Sequence, residues 1–428
     1  MGGDNRIVVG VRGARERLWR GWRMPPTHGR LLDAPTGGAP PLMWRAIAKE
    51  AAVYWLASRA LLLVFTWVAF LVGVPAAQGQ PTSDPALLLH AWLHWDGYWY
   101  EGIARLGYWN GQSTAFFPLY PLLIGAGTLL IGEQNRWFAA LLVANLGTLA
   151  AFIGMALLAA NEYGARTAVG TLRALVVYPA AFFLAAPYTE GIFLGCAAFG
   201  LLFARRGAWG WAALCVLLAC LTRITGVILI LPLVWEFVRQ QRQTGLPADR
   251  RGRWRALATL AMVACAGPLG IGVYMLYLWG RFGNPTIFLS VEQVYWGHNT
   301  TPLWDSLALA AARYGAIPPW TMSHALMLIE VSALLIFAVF TLVTMRRMPF
   351  AFTLYMLGLL YLCVSSPILK VPDIYQSSAR YLIVGAPFFV LLGREMQCRP
   401  WLDFLVVCSG FLLQAVLLAN FLAGNWVL

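Results

Sequence analysis

Residues 51–74 read AAVYWLASRALLLVFTWVAFLVGV, an apolar run whose single charge is Arg59. A helix that crosses a bilayer needs about 20 such residues, so this run predicts a membrane span. Shortly after it, residues 94–101 read HWDGYWYE and set one carboxylate, Asp96, among aromatic rings. Two interpretations fit this stretch. It could be an interfacial aromatic belt with one solvated acid, or a site that holds a lipid-linked substrate and takes a proton from a hydroxyl.

The composition points to a membrane protein. Of 428 residues, 60% are hydrophobic and 11% are charged, and apolar runs recur along the chain, which predicts an all-α polytopic membrane protein. The net charge of +13 comes from short basic clusters between apolar runs, as the positive-inside rule expects, so we expect membrane lipids and no nucleic acid as partners. The seven cysteines lack metal-ligand spacing and are interpreted as packing residues.

The distribution of basic residues predicts the topology. Residues 1–45 contain eight Arg and three acids, and we expect a disordered cytoplasmic tail. With the basic loop 239–255 also inside, the segment 116–132 has no room to cross and should lie on or dip into the outer leaflet. We therefore expect about eleven transmembrane helices, plus non-spanning helices in the first outer loop, with the C-terminus outside.

This topology divides the chain into the tail and one membrane domain, residues 46–428. The outer side would carry three features: the first loop 75–136, a loop at 281–323 that could act as a lid, and a short loop at 367–378. Most polar groups without an obvious anchoring role fall on that side.

The candidate site residues are acids and cations at the outer ends of apolar segments. Asp96 lies in the first loop, Glu190 opens an apolar helix, and Arg223 is flanked by apolar helices on both sides. A cation there is costly unless it meets an anion or a polar cavity. Lys370 and Arg380 lie in or just after the third outer loop. Roles outside a site are also possible for two of them. Glu190 could be an ordinary acid in the first turn of a helix, and Arg380 could extend its side chain toward the lipid headgroups.

The chemistry that this inventory suits is transfer from a lipid phosphate. The sequence contains neither a Gly-rich nucleotide cradle nor a His/Cys ligand cluster. A phosphate leaving group needs no general acid, and an Arg can hold its charge as it departs. One carboxylate base would deprotonate the incoming hydroxyl, and attack from the face opposite the phosphate would invert the anomeric centre, by analogy with inverting glycosidases.

Several short motifs resemble those of a known family. Trp95-Asp96 with Trp99-Tyr100, followed by Phe116-Phe117-Pro118 and Tyr120-Pro121, is similar to the first motif of the PIG-V family. These are GPI mannosyltransferase 2-like enzymes of the GT-C fold, which use polyprenyl-phosphate mannose. Further resemblances lie in Tyr178-Pro179-Ala180-Ala181-Phe182, in Tyr188-Thr189-Glu190, in Thr222-Arg223 with Thr225-Gly226, and in Arg380-Tyr381-Leu382. The similarity runs from about residue 50 to residue 395.

The resemblance implies a site and a reaction. Asp96 would be the catalytic base, Glu190 a second acidic site residue, and Arg223 and Arg380 would lie near the donor phosphate. The family usually has Arg immediately before Trp-Asp, where this chain has His94, so a titratable group would replace a fixed cation. No cofactor or metal is expected. The further residues that we expect to bind substrate are His94, Trp95, Trp99, Tyr100, Tyr188, Lys370 and Tyr381.

The sequence therefore predicts a bacterial integral membrane mannosyltransferase that acts on the outer face of the membrane, with a glycan or glycolipid acceptor. One alternative is the same fold using another polyprenyl-phosphate sugar, such as glucose or arabinose. A second is a transporter or flippase for a lipid-linked sugar, which should place ionisable residues near the middle of the bilayer and often shows repeated halves. Arg59 and Glu330 do lie inside apolar runs, and for each of them we favour a packed polar contact over a transport role.

Overall fold

The computed structural model describes residues 41–73, 85–245, 247 and 249–427. Almost all of the expected tail, residues 1–40, and Asp84 of the first loop lie outside the described residues. The helices are α1 (Pro41–Leu71), α2 (Pro85–His90), α3 (Asp96–Leu106), α4 (Leu119–Ile131), α5 (Arg136–Tyr163), α6 (Ala165–Val176), α7 (Glu190–Arg205), α8 (Trp209–Thr222), α9 (Ile230–Thr244), α10 (Arg250–Phe282), α11 (Ile287–Val291), α12 (Leu303–Tyr314), α13 (Met322–Thr344), α14 (Phe350–Ser365), α15 (Ser378–Leu382), α16 (Ala386–Cys398) and α17 (Pro400–Leu422).

The prediction of an all-α polytopic membrane protein is confirmed. Within the described residues, six helices are long and apolar enough to cross a membrane: Met43–Leu71, Glu133–Tyr163, Ile224–Thr244, Arg250–Phe282, Met322–Arg347 and Pro400–Leu422. Shorter apolar helices accompany them: Leu119–Ile131, Trp209–Thr222 and Phe350–Ser365. The count of eleven crossings stays a prediction, as do the domain boundaries.

Several apolar segments form helices too short to cross a bilayer alone. The 12 residues of α6 extend about 18 Å and the 13 residues of α4 about 20 Å, against a hydrocarbon core of about 30 Å. Pro118 precedes α4 and Pro121 lies in its first turn, where a proline costs no helical hydrogen bond. The 116–132 segment thus contains a helix too short to cross the bilayer, as expected for a segment predicted not to span it.

The central helices have two chemically different ends. α7 begins at Glu190 and ends at Arg205, about 24 Å away along its 16 residues. Arg205 donates to Glu162 at the end of α5 (2.8 Å) and to Glu236 of α9 (3.0 Å), which also accepts from Arg239 (2.6 Å). This ion-pair cluster lies at the far end of α7 from Glu190, so the basic positions near 205 and 239 lie together.

Small residues let α5 and α7 approach closely. A β-carbon added at Gly191 would lie 3.0 Å from the backbone nitrogen of Thr148, and one at Gly147 would lie 3.2 Å from that of Ile192. Such contacts between backbones replace the hydrophobic driving force that is absent between helices in lipid. The first turn of α7, which carries Glu190, is therefore fixed in the middle of the helix bundle.

Candidate active site

Asp96 is the first residue of α3, where the positive end of the helix dipole favours a carboxylate. Trp95, immediately before it, has a φ of 51°, a backbone conformation that L-residues rarely adopt and that is often found at functional sites. Gly97 packs so tightly that an added β-carbon would lie 2.9 Å from Cγ of Pro187. The start of α3 is therefore held directly against the turn that precedes α7.

Glu190 is completely buried at the start of α7. The segment before it contains a short 3-10 helix, Ala181–Leu184, whose last carbonyl accepts a hydrogen bond from Thr148 at 2.6 Å. Tyr188 then donates to the backbone carbonyl of His94 at 3.1 Å. These bonds fix the turn that leads into Glu190 on both sides.

Arg223 reaches the same place from the break after α8. Its backbone is extended (φ −154°, ψ 147°) between Thr222 and a 3-10 helix, Ile224–Leu229. The chain turns so sharply that a β-carbon at Gly226 would lie 2.5 Å from the backbone nitrogen of Cys220. The Arg223 side chain donates from Nε to Thr189 at 2.6 Å and from Nη2 to Oε1 of Glu190 at 2.5 Å.

Arg380, on α15, completes the arrangement. Its Nη1 donates to Oδ2 of Asp96 at 2.9 Å, and its Nε lies 3.7 Å from Oε1 of Glu190. Three rings surround the guanidinium carbon, which lies 5.3 Å from the ring centre of Phe183, 5.4 Å from that of Tyr188 and 5.2 Å from that of Tyr381. The face of an aromatic ring attracts a cation, so this enclosure stabilises the charge of a residue that is only 3% exposed.

Four charges thus alternate in one cluster, in the order Asp96, Arg380, Glu190, Arg223; we refer to it as the charge cluster. Two negative and two positive groups balance, which is the condition under which buried charges are tolerated. Exposure differs among the four: the side chain of Asp96 is 16% exposed and that of Arg223 is 18% exposed. The cluster therefore presents one carboxylate and one guanidinium toward the surface and keeps the other two charges behind them.

Some hydrogen-bonding capacity in the cluster is unused. Oε2 of Glu190 is buried and has no partner among the described residues. Oδ1 of Asp96 accepts no hydrogen bond from any residue that the structure describes, whereas Oδ2 faces Arg380. Each of these two oxygens could therefore accept a hydrogen bond from the hydroxyl group of a ligand.

The aromatic residues expected at the site are divided between two places. Trp99 lies between two near-parallel rings, Trp109 (5.6 Å between ring centres) and Phe116 (5.5 Å), and Trp95 packs on Trp426 (4.9 Å). Tyr188 and Tyr381 instead enclose Arg380.

Two other expected residues sit beside the cluster. Burial raises the pKa of Tyr100, the residue on α3 four positions after Asp96. His94 packs against Phe421 with 5.4 Å between ring centres, and burial lowers the pKa of its imidazole. His94 therefore supplies no fixed cation beside Asp96.

The 281–323 loop contributes a third acid. Glu292 begins a π-helix, Glu292–Trp296, and burial raises its pKa to about 7, with the charge of Asp96 adding to the effect and that of Arg223 opposing it. Trp296, at the end of this π-helix, packs edge-on against Trp99 with 5.8 Å between ring centres. The loop is therefore attached to α3, and Glu292 is electrostatically coupled to the charge cluster.

Lys370 lies outside the charge cluster. Its exposed side chain donates to the carbonyls of Val294 (2.6 Å) and Tyr295 (3.1 Å), and so joins the 367–378 loop to the π-helix. Its expected role in substrate binding stays a prediction.

Sequence reasoning missed three contributors: Thr189, Phe183 and Glu292. Thr189 adjoins Glu190 and Phe183 follows the 178–182 motif, so proximity to the motifs was the only available signal. Glu292 lies in the 281–323 loop, but nothing in its local sequence connects it to Asp96.

Among the described residues, no group of three or more His, Cys, Asp or Glu side chains could hold a metal ion. Metal independence stays a prediction.

No protein-family model matches the chain, and neither does any curated protein. Among solved structures, it is similar to ArnT from Cupriavidus metallidurans bound to undecaprenyl phosphate, at 15% identity and a TM-score of 0.42, over 86% of this chain and 76% of that one. It is also similar to the Archaeoglobus fulgidus oligosaccharyltransferase. In the apo form, the identity is 12% and the TM-score 0.36, over 87% and 56% of the two chains. In the form tethered to an acceptor peptide, the identity is 12% and the TM-score 0.39, over 87% and 55%. The chain thus spans little more than half of the oligosaccharyltransferase.

Proposed function

We propose that this protein is an integral membrane glycosyltransferase that transfers a sugar from a polyprenyl-phosphate donor to a hydroxyl acceptor. The observation that supports this most directly is the charge cluster, in which Asp96 and Glu190 alternate with Arg223 and Arg380. Glu190 begins the apolar helix α7 and Arg223 directly follows the apolar helix α8. A lipid-phosphate sugar needs this combination: an apolar surface for its tail, guanidinium groups for its phosphate and a carboxylate for the acceptor proton.

In the proposed reaction, Asp96 accepts the proton of the acceptor hydroxyl through Oδ1. The acceptor oxygen then forms a bond to the anomeric carbon as the bond from that carbon to the phosphate oxygen breaks, and the electron pair leaves with the phosphate. Arg223 and Arg380 hold the increasing negative charge, because guanidinium groups match the geometry of a phosphate. Attack from the side opposite the phosphate inverts the anomeric centre.

Exposure suggests how the two cations divide this work. Arg223 has the more exposed side chain and bonds the cluster through Nε and Nη2, so Nη1 is available for the phosphate. Arg380 is enclosed by rings and already contacts Asp96, so it would orient the base and hold the phosphate from behind. Oε2 of Glu190, buried without a partner among the described residues, would accept a hydrogen bond from a sugar hydroxyl.

The finer parts of the proposal are the sugar, the fold family and the orientation. The motif resemblance supports mannose, the GT-C architecture and a relation to the PIG-V enzymes. The basic clusters support a cytoplasmic N-terminus and a site on the outer face of a bacterial membrane. The acceptor would be a glycan or glycolipid.

Two alternatives are tested against this proposal. Glucose or arabinose as the transferred sugar would use the same cluster, so only donor competition separates them. A flippase for a lipid-linked sugar should carry charges free to bind cargo near the middle of the bilayer. The Glu330 carboxyl instead bonds to two backbone nitrogens.

The deciding experiment uses purified protein in lipid nanodiscs with radiolabelled polyprenyl-phosphate mannose and a membrane extract as acceptor source. Wild type should transfer label, and Asp96→Asn should lose about 10²–10⁴-fold in rate, the usual contribution of a positioned base. Glu101→Gln is the matched control, because Glu101 lies on the same helix but pairs with Arg136 (3.2 Å) outside the cluster. Near-normal turnover by Asp96→Asn would show that Asp96 is not the catalytic base.

Donor competition and reconstitution separate the alternatives. Unlabelled polyprenyl-phosphate glucose or arabinose should compete less well than the mannose donor. In proteoliposomes, movement of the labelled lipid between leaflets without formation of a glycosidic bond would indicate a flippase.

A further inference from the structure

Glu330 lies inside α13, and its carboxyl is buried, with the residue 1% exposed. Oε1 accepts a hydrogen bond from the backbone nitrogen of Ser377 at 2.7 Å, and Oε2 accepts one from that of Ala379 at 2.6 Å. An acid inside a membrane-spanning helix is expensive, and in general such residues have a specific partner and a function. Here the partner is the backbone just before Arg380.

The segment that Glu330 binds has an unusual backbone. Ser377 has a φ of 74°, in the left-handed region that non-glycine residues occupy at a cost of about 1–3 kcal/mol. Trp95, beside Asp96, also has a positive φ. Asp96 therefore directly follows a strained residue and Arg380 lies three positions after one, and a strained conformation persists only when its surroundings hold it.

The same segment is held from a second side. The Tyr178 hydroxyl donates to the carbonyl of Ala379 at 2.6 Å, so Ala379 is fixed at both its nitrogen and its oxygen. Arg380 follows directly, and its side chain must pass between three rings to reach Asp96 at 2.9 Å. A shift of a few tenths of an ångström in this backbone would be transmitted to the guanidinium group.

We propose that Glu330 is a positioning residue of the active site, which sets the place of Arg380 by accepting the backbone hydrogen bonds of Ser377 and Ala379. This rests on the proposed function, because it assumes that Arg380 acts at the reacting centre. Glu330 makes no hydrogen bond or ion pair with Asp96 among the described residues, so we expect it to act on the reacting centre through the segment that carries Arg380.

The variant that tests this is Glu330→Gln. It keeps the size of the side chain and one acceptor oxygen, but turns an amide group toward one of the two backbone nitrogens. We expect kcat to fall by about tenfold or more with a smaller change in KM for the donor, since a tenfold loss corresponds to about 1.4 kcal/mol, the scale of one hydrogen bond. Thr341→Val is the matched control: Thr341 is buried on the same helix, but its hydroxyl bonds only to Phe337 of that helix (2.6 Å).

A double-mutant cycle in thermal unfolding tests the positioning without any activity. Arg380→Lys should lower the melting temperature less in the Glu330→Gln background than in wild type, because Arg380 is already displaced there. Additive effects would overturn the inference, whatever the reaction. Coupled effects in a protein that transfers no sugar would support the positioning and reject the proposed function.

A second variant covers the possibility that Glu330→Gln does not fold. Tyr178→Phe removes the hydroxyl that holds the Ala379 carbonyl and leaves the ring in place. A fall in kcat at an unchanged melting temperature would support the inference. An unchanged kcat would overturn it.

Discussion

Arg380 and Asp96 form an ion pair of 2.9 Å although 284 positions of sequence separate them. The pair joins the first residue of α3 to the short helix α15, and the side chain of Arg380 is only 4% exposed. Burial of this kind makes the two groups depend on each other, because either charge without its partner would remain in an environment of low polarity.

Removing Arg380 should therefore destabilise the protein as well as inactivate it. Arg380→Ala leaves Asp96 facing no cation at this position, and we expect the free energy of unfolding to fall by about 3–5 kcal/mol. Denaturant or thermal unfolding in detergent measures this. Arg399→Ala is the control, since Arg399 is 47% exposed and pairs with Glu395 at the surface, where such pairs contribute about 0–1 kcal/mol. Equal losses in the two variants would contradict the buried-pair interpretation.

Thr189 should control donor binding through Arg223. Its hydroxyl accepts from Nε of Arg223 at 2.6 Å, and hydrogen bonds to charged groups contribute about 1.5–3 kcal/mol. Thr189→Val should accordingly weaken the binding of polyprenyl phosphate by about tenfold or more, as measured by equilibrium binding in nanodiscs.

Thr222→Val is the matched control for Thr189→Val. Thr222 immediately precedes Arg223, but its hydroxyl bonds to Leu218 within its own helix at 2.7 Å. The same loss of affinity in both variants would mean that Thr189 acts on the fold and not on Arg223.

The sequence predicted the convergence of the charges better than their pairing. Glu190 and Arg223 each lie where an apolar helix begins or ends, so alternating crossings bring them to one side. The order of contacts, in which Glu190 lies between the two guanidinium groups, depends on where α15 passes. No local pattern encodes that path.

Apolar composition alone also did not predict where the helices end. The segment 168–186 is apolar enough to read as a span, but α6 ends at Val176 and the chain continues as a turn and a 3-10 helix. Pro179 and Pro187 lie in this break, and tertiary contacts of the turn outweigh helix propensity there. Glu330 was visible as an isolated acid, but its partners are backbone nitrogens, which any residue supplies.

Glu292 should give the protein a pH dependence near neutrality. Burial raises the pKa of this carboxyl from its ordinary value of 4.5 to about 7, so the folded protein holds a proton that the unfolded chain has lost. Between about pH 4.5 and pH 7 the stability contributed by Glu292 therefore falls as the pH rises. Melting temperatures across this range should decline more steeply in wild type than in Glu292→Gln.

The same group should affect turnover. An ionised Glu292 adds negative charge near Asp96, so we expect an inflection near pH 7 in the rate profile of wild type that Glu292→Gln lacks. Glu50→Gln is the control, since Glu50 is an exposed acid on α1. Identical pH–rate profiles for wild type and Glu292→Gln would show that ionisation of Glu292 does not affect the charge cluster.

Gly97→Ala should lower activity through sterics alone. The new methyl group would lie 2.9 Å from Cγ of Pro187 and 3.2 Å from Leu93, so the start of α3 must move, and Asp96 with it. A misplacement of about 1 Å costs up to about 10²-fold in rate. Gly125→Ala is the control, because nothing lies within 4 Å of the β-carbon added there. Full activity of Gly97→Ala would show that the position of Asp96 is not critical.

The orientation of the chain in the membrane can be tested by cysteine labelling. Arg242, in the basic region at the end of α9, should face the cytoplasm, and Trp320, which is fully exposed between α12 and α13, should face the outside. In a background with the exposed Cys265, Cys398 and Cys408 changed to Ala, Trp320→Cys should react with an impermeant maleimide added to intact cells. Arg242→Cys should react only after lysis. The opposite pattern would place the charge cluster on the cytoplasmic side and rule out an acceptor on the outer face.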